Sequence, residues 1–151
     1  MKRRFFLVSI ACMAFFVSLV SFSRAGGGDI VTDILNYTNS FRASRGMPEL
    51  VNREDLNAIA QKHSADMAAG RVSFGHDGFE QRQQQAKAKL TTIRAFAENV
   101  AYGAKSGEEV VTLWKNSAGH RRNMLGKYKY VGIGTATDSR GLIYYTQIFA
   151  D

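Results

Sequence analysis

With 151 residues, a hydrophobic fraction of 45%, ten Phe, six Tyr and one Trp, the chain has apolar material for a single core and leaves little room for a second domain. The formal net charge is +7, but Lys2, Arg3, Arg4 and Arg24 precede Gly26 with no acidic residue among them, so the remainder carries 16 basic against 13 acidic residues, or +3. That excess is spread over Arg42, Arg45, Lys87, Lys89, Arg121, Arg122, Lys127 and Lys129; it forms no block long enough for nucleic-acid binding and reads as a solvated face. Cys12 is the only cysteine, so the chain beyond it can build neither a disulfide nor a thiolate site, and its stability must come from packing.

The basic residues Lys2 to Arg4 are followed by Phe5 to Phe22, an 18-residue run without charge, which is the pattern of an export signal. Ser23-Arg24-Ala25 places small residues before a cleavage point, and Gly26-Gly27-Gly28 is flexible beyond it. The expected organisation is therefore a signal peptide over 1–25, a glycine-rich linker over 26–28 and one domain over 29–151. Its destination is secreted or periplasmic, with no stable membrane span after cleavage. A retained anchor is the competing reading, because the run sits at the lower length limit for a spanning helix. A lipoprotein at Cys12 is disfavoured, because Ser9-Ile10-Ala11 lacks the expected leucine.

Ile30, Ile34, Tyr37, Thr38 and Phe41 recur at helical spacing behind a capping Asp29, and Gly46 with Pro48 ends that helix. Asn52 to Asp55 resembles a cap for a second helix with Leu56, Ile59, Ala60, His63 and Met67 on one stripe. Glu80 to Lys89, rich in glutamine, predicts a short and mostly exposed polar helix. Phe96 to Tyr102 alternates as a strand does. Ser106 caps a helix with Val110, Val111, Leu113 and Trp114 inward, and a short helix from about His120 to Met124 follows. Val131 to Thr137 and Leu142 to Phe149 predict a hairpin turning at Asp138 to Gly141. Helices early and a sheet late imply an α+β fold.

Three histidines invite chemistry. His63 lies on an apolar stripe, where a core histidine with one satisfied nitrogen is the favoured reading. His76 sits in a turn between Gly75 and Asp77-Gly78, from which a ring can project into a cleft. His120 follows Ser117-Ala118-Gly119 at a helix start, where a surface histidine is the plain alternative.

Taken together, Asn39-Ser40-Phe41-Arg42, Gly46 to Leu50, Ala60 to Ala68, Phe74-Gly75-His76, Ala97-Glu98-Asn99-Val100-Ala101, Trp114 to Leu125, Gly132-Ile133-Gly134 and Tyr144 to Phe149 resemble the bacterial branch of the CAP superfamily of SCP-like extracellular proteins. Each motif alone is weak, but their order and spacing agree over nearly the whole chain after the signal. The resemblance implies a three-layer α-β-α sandwich with a small, mostly antiparallel sheet. It also implies that His76, Glu98 and His120 converge on an open cleft, as a three-ligand set for zinc or another divalent ion. Many eukaryotic relatives carry a second glutamate where this chain has Ser117. Ser117 and Gln147 are expected as support for the cleft, although a helix-end serine satisfying backbone groups is the plain reading of Ser117.

The function expected from this resemblance is binding of a divalent metal, or of a small polar or lipid ligand or an envelope component, with no nucleic-acid partner. One alternative is a metal-assisted or acid-base hydrolase with Glu98 as base; Ser117 as a nucleophile is weaker, lacking a strained turn and an oxyanion hole. Another is an interaction module using Tyr128, Tyr130 and Tyr144, although aromatics there more often pack strands.

Overall fold

The structure is a computed structural model and describes residues 29–151 apart from Thr91. The expected signal peptide (1–25) and glycine linker (26–28) lie outside the described residues. The elements run α1 (Ile30–Ala43), β1 (Val51–Asn52), α2 (Glu54–Ala68), α3 (Phe79–Lys89), β2 (Phe96–Tyr102), α4 (Gly107–Asn116), α5 (Ala118–Met124), β3 (Tyr130–Thr137) and β4 (Ile143–Ala150).

Asp29 caps α1 by accepting from the Val31 amide at 3.4 Å, as its sequence position implies. The inward stripe of α1 is Ile34, Thr38 and Arg42, four residues apart and mostly polar, while Tyr37 is 40% exposed. Arg42, expected on the solvated face, is instead fully buried. Its guanidinium donates to the main-chain oxygens of Pro48 (2.9 Å), Met124 (2.7 Å) and Gly126 (2.9 Å), which satisfies it without a carboxylate. Asn52 does not cap α2. It belongs to β1 and exchanges amide hydrogen bonds with Asn57 at 2.9 Å each way, and Arg53 occupies the cap position, its side chain bonded to Asp55 and making no capping bond. Ser106 does cap α4, accepting from Glu109 N at 3.1 Å.

The sheet order is β1-β3-β4-β2. β1 runs parallel to β3, and the other two pairings are antiparallel, with Ile133 opposite Gln147 and Gln147 opposite Asn99. One face carries α2 and α3 through Leu56, Ile59, Ala60, Ala86 and Leu90 against Ile148 and Ala150. The other carries α1, α4 and α5 through Ile34, Val110, Val111, Trp114 and Met124 against Val131, Ile133, Tyr145 and Phe149. The result is the expected α+β sandwich of three layers around a mostly antiparallel sheet. Leu113, expected inward, is 48% exposed. α2 lies directly on β3: a Cβ on Gly134 would stand 2.1 Å from Gln61 N and 2.3 Å from the Ala60 carbonyl carbon. Only a glycine lets the backbones approach so closely. Among the described residues no helix is long and apolar enough to cross a membrane.

β2 is an outer strand, and two of its carbonyls are met by side chains. Asn123 Nδ2 donates to Glu98 O at 3.1 Å and Trp114 Nε1 to Val100 O at 3.3 Å. This arrangement brings α4 and α5 to the same sheet edge that carries the expected site glutamate.

Candidate functional site

Successive residues of a strand point to opposite faces, and at the middle of β2 this alternation assigns Glu98 and Asn99 to different layers. Glu98 turns toward α3, and its side chain is fully buried. Arg82, in the first turns of α3, grips it as a fork: Nε donates to Oε2 at 2.6 Å and Nη2 to Oε1 at 2.7 Å, a geometry that only a guanidinium provides. The same guanidinium donates through Nη1 to Asp77 O at 2.7 Å, so one side chain holds both the strand and the turn that precedes α3.

That turn presents His76, whose Nδ1 lies 2.9 Å from Glu98 Oε1 while its side chain remains 51% exposed. A carboxylate paired with a guanidinium accepts, so the hydrogen sits on Nδ1 and the Nε2 lone pair is left free. Gly75 makes the turn possible at φ +143°, a backbone region largely reserved for glycine. His63 steadies it from beneath: the ring is 3% exposed and its Nε2 is 2.9 Å from Gly75 O. It is thus a core histidine with one satisfied nitrogen, as expected, and burial lowers its pKa.

Asn99 turns the other way and connects to α5. Its Nδ2 lies 3.3 Å from both His120 O and Gln147 Oε1, and its Oδ1 accepts from Asn123 Nδ2 at 2.9 Å. Gln147 in turn donates to Thr38 Oγ1 at 3.0 Å. Thr38, Asn99 and Gln147 are all fully buried, so a hydrogen-bonded file runs from α1 along one face of the sheet and ends on the backbone of His120. The His120 ring is half-buried. Its pKa is lowered first by burial and then by the charge of His76. An open depression of about 400 Å³ next to this edge is lined by His76, Phe79, Phe96, Ala97, Glu98 and Asn123.

His76 and Glu98 are therefore in direct contact, while His120 belongs to α5 in the opposite layer. Gln147 lies beneath, in the file that reaches His120. Ser117 joins α4 to α5; its carbonyl accepts from Arg121 N at 2.8 Å, and its side chain makes no capping bond. Among the described residues no three His, Cys, Asp or Glu side chains converge in a metal-holding group. Imidazole nitrogen is a donor that zinc accepts, so His76 and His120 are the side chains whose chemistry fits such a cation. Glu98, expected as the third donor, already accepts from His76 and from the Arg82 guanidinium that lies against it. Of the aromatics weighed as an interaction surface, Tyr128 packs on Phe149 and Tyr144 stacks on Tyr102, while Arg53 and Lys129 lie over the Tyr130 ring. Sequence reasoning missed Arg82, whose glutamine-rich surroundings read as solvent-facing, and gave Asn99 and Asn123 no role.

A family model for the cysteine-rich secretory protein family, CAP, matches residues 35–149. The Bacillus subtilis protein YkwD is 32% identical over 104 residues, covering 67% of this chain and 40% of YkwD. YlbC, described as a membrane protein of the same organism, is 30% identical over 120 residues, covering 77% of this chain and 33% of YlbC. This chain thus spans well under half the length of either curated relative. A solved extracellular protein containing an SCP domain from Bacillus anthracis superposes with a TM-score of 0.69 at 28% identity, covering 80% of this chain and 40% of that one. With the family model spanning most of the sequence and the same layered architecture in a solved relative, the chain belongs to the CAP, or cysteine-rich secretory protein, family.

Proposed function

We propose that this CAP domain works outside the cytoplasm as a binding protein, with the imidazoles of His76 and His120 taking a divalent cation such as zinc and a small polar ligand or envelope component. The basic, then apolar, opening of the sequence and the extracellular description of the Bacillus anthracis relative support the location. The observation that carries the binding reading is the 2.9 Å contact between His76 Nδ1 and Glu98 Oε1, which leaves Nε2 with its lone pair on a half-exposed ring. Metal-ligating histidines are commonly oriented by such a carboxylate. A bound cation would supply Lewis acidity and an anchoring charge for the polar ligand. Glu98 is fully buried and already bonded to Arg82 and His76, so the site is read as binding rather than turnover. Zinc titration by calorimetry on the purified protein and on His76→Ala and His120→Ala tests this. Both variants are expected to lose most of the binding, and equal binding in all three proteins would sink the reading.

A further inference from the structure

We propose that Arg82 is a positioning residue that sets which nitrogen of His76 faces the ligand, acting through Glu98. The inference deepens the imidazole-pair reading above and rests on it for its significance, although its geometry stands independently. Glu98 is fully buried on an outer strand, and an isolated carboxylate there could rotate, or draw either ring nitrogen of His76 toward it. The fork from Arg82, at 2.6 and 2.7 Å, removes that freedom by fixing the carboxylate plane, so that Oε1 faces His76 Nδ1 at 2.9 Å.

Arg82 also acts on the backbone that carries the ring. Its bond to Asp77 O at 2.7 Å and its longer reach to His76 O at 3.4 Å hold the turn from one side, while His63 holds Gly75 O from the other at 2.9 Å. Ring and backbone are thus referred to one buried guanidinium, 7% exposed. The consequence is a His76 locked as the Nδ1–H tautomer, the form a free histidine side chain disfavours in water, with Nε2 as the only nitrogen able to give a lone pair to a ligand. A neutral hydrogen-bonding side chain at position 82 could fill space and satisfy Asp77 O, but it could not fork onto both oxygens of Glu98.

The test reads the tautomer directly, in protein without added metal. Long-range proton–nitrogen NMR correlation at about pH 8, above the ordinary imidazole value, assigns the His76 ring in the full chain, in Arg82→Gln and in Arg82→Lys. The expected results are a single Nδ1–H form in the original protein, a shift toward Nε2–H in Arg82→Gln and a partial return in Arg82→Lys. Zinc affinity should weaken about tenfold or more in Arg82→Gln, the usual size of an outer-partner effect. Glu98→Gln serves if Arg82→Gln fails to fold, because its amide can present either a donor or an acceptor and should also mix the tautomers. Finding the Nε2–H form in the original protein, or an unchanged tautomer in Arg82→Gln, would overturn the proposal. An Arg82-dependent Nδ1–H form in a protein that binds no zinc would uphold the positioning role while removing the cation reading. Zinc binding with a tautomer indifferent to position 82 would do the reverse.

Discussion

Replacing Arg42 by Met keeps most of the stem volume and deletes the guanidinium from the one place where it has no exposure at all. Three main-chain oxygens, of Pro48, Met124 and Gly126, then lose donors at 2.7–2.9 Å. Leaving a buried acceptor without a partner costs about 1–3 kcal/mol. Against that sum stands the relief of no longer burying a cation, a strain visible in the lowering of the Arg42 pKa by burial. We expect a net loss of about 3 kcal/mol, because charge-assisted bonds are the stronger kind and Met124 O lies at the end of α5, where several carbonyls lack helical partners. Urea unfolding followed by circular dichroism measures it. With a slope of about 1.5 kcal/mol per molar, the midpoint should fall by about 2 M with the slope unchanged. Arg42→Lys, which can reach fewer of the three oxygens, should fall between the two. A midpoint for Arg42→Met within about 0.3 M of the original would refute the idea that these bonds hold α1 to the end of α5.

His63 is held neutral by burial, so below its ordinary value near 6.5 the unfolded chain takes up a proton that the folded one refuses; stability should therefore fall as pH drops from about 6.5 to 5. His63→Gln, which can still donate to Gly75 O, should flatten that slope in pH-dependent urea melts, and an unchanged slope would contradict the assignment. Gly134→Ala should destabilise by about 3 kcal/mol, since its Cβ would meet the main chain of Ala60 and Gln61; thermal unfolding unaltered within about 1 °C would refute the close approach. The Asp138 carboxyl, bonded to the Arg140 side chain and to the amides of Arg140 and Leu142, has a lowered pKa. Its contribution to the hairpin should be intact above the ordinary value near 3.9 and lost as pH falls through the lower folded value. A carboxyl titration by NMR with its midpoint at or above the ordinary value would count against it.

Periodicity made the helices and the closing hairpin legible because apolar spacing is a local signal. Asp29 and Ser106 were readable as caps for the same reason, since each acts within three residues of itself. β1 was not readable: two residues whose only strand partners lie at Tyr130 and Val131 leave no local pattern. The polar interior was hidden too. Arg42 and Arg82 look like solvated cations until tertiary contacts bring carbonyls or a carboxylate to them, and hydropathy assigns the wrong face to both. Within the site, His76, Glu98 and His120 stood out through motif resemblance. What escaped was that Glu98 already has a cationic partner on its own side of the sheet, sixteen positions earlier in the chain.

The guarded margin of β2 has a further implication. An outer strand with bare carbonyls can zip onto a strand of another molecule and start a fibre, and here an indole and a carboxamide occupy two of the contact points such a zipper would use. The carboxamide of Asn123 also belongs to the file ending on His120. Loosening that corner would therefore do more than weaken a ligand: it would unseal a self-association seam, and losses there should surface as insoluble protein before they surface as poor binding.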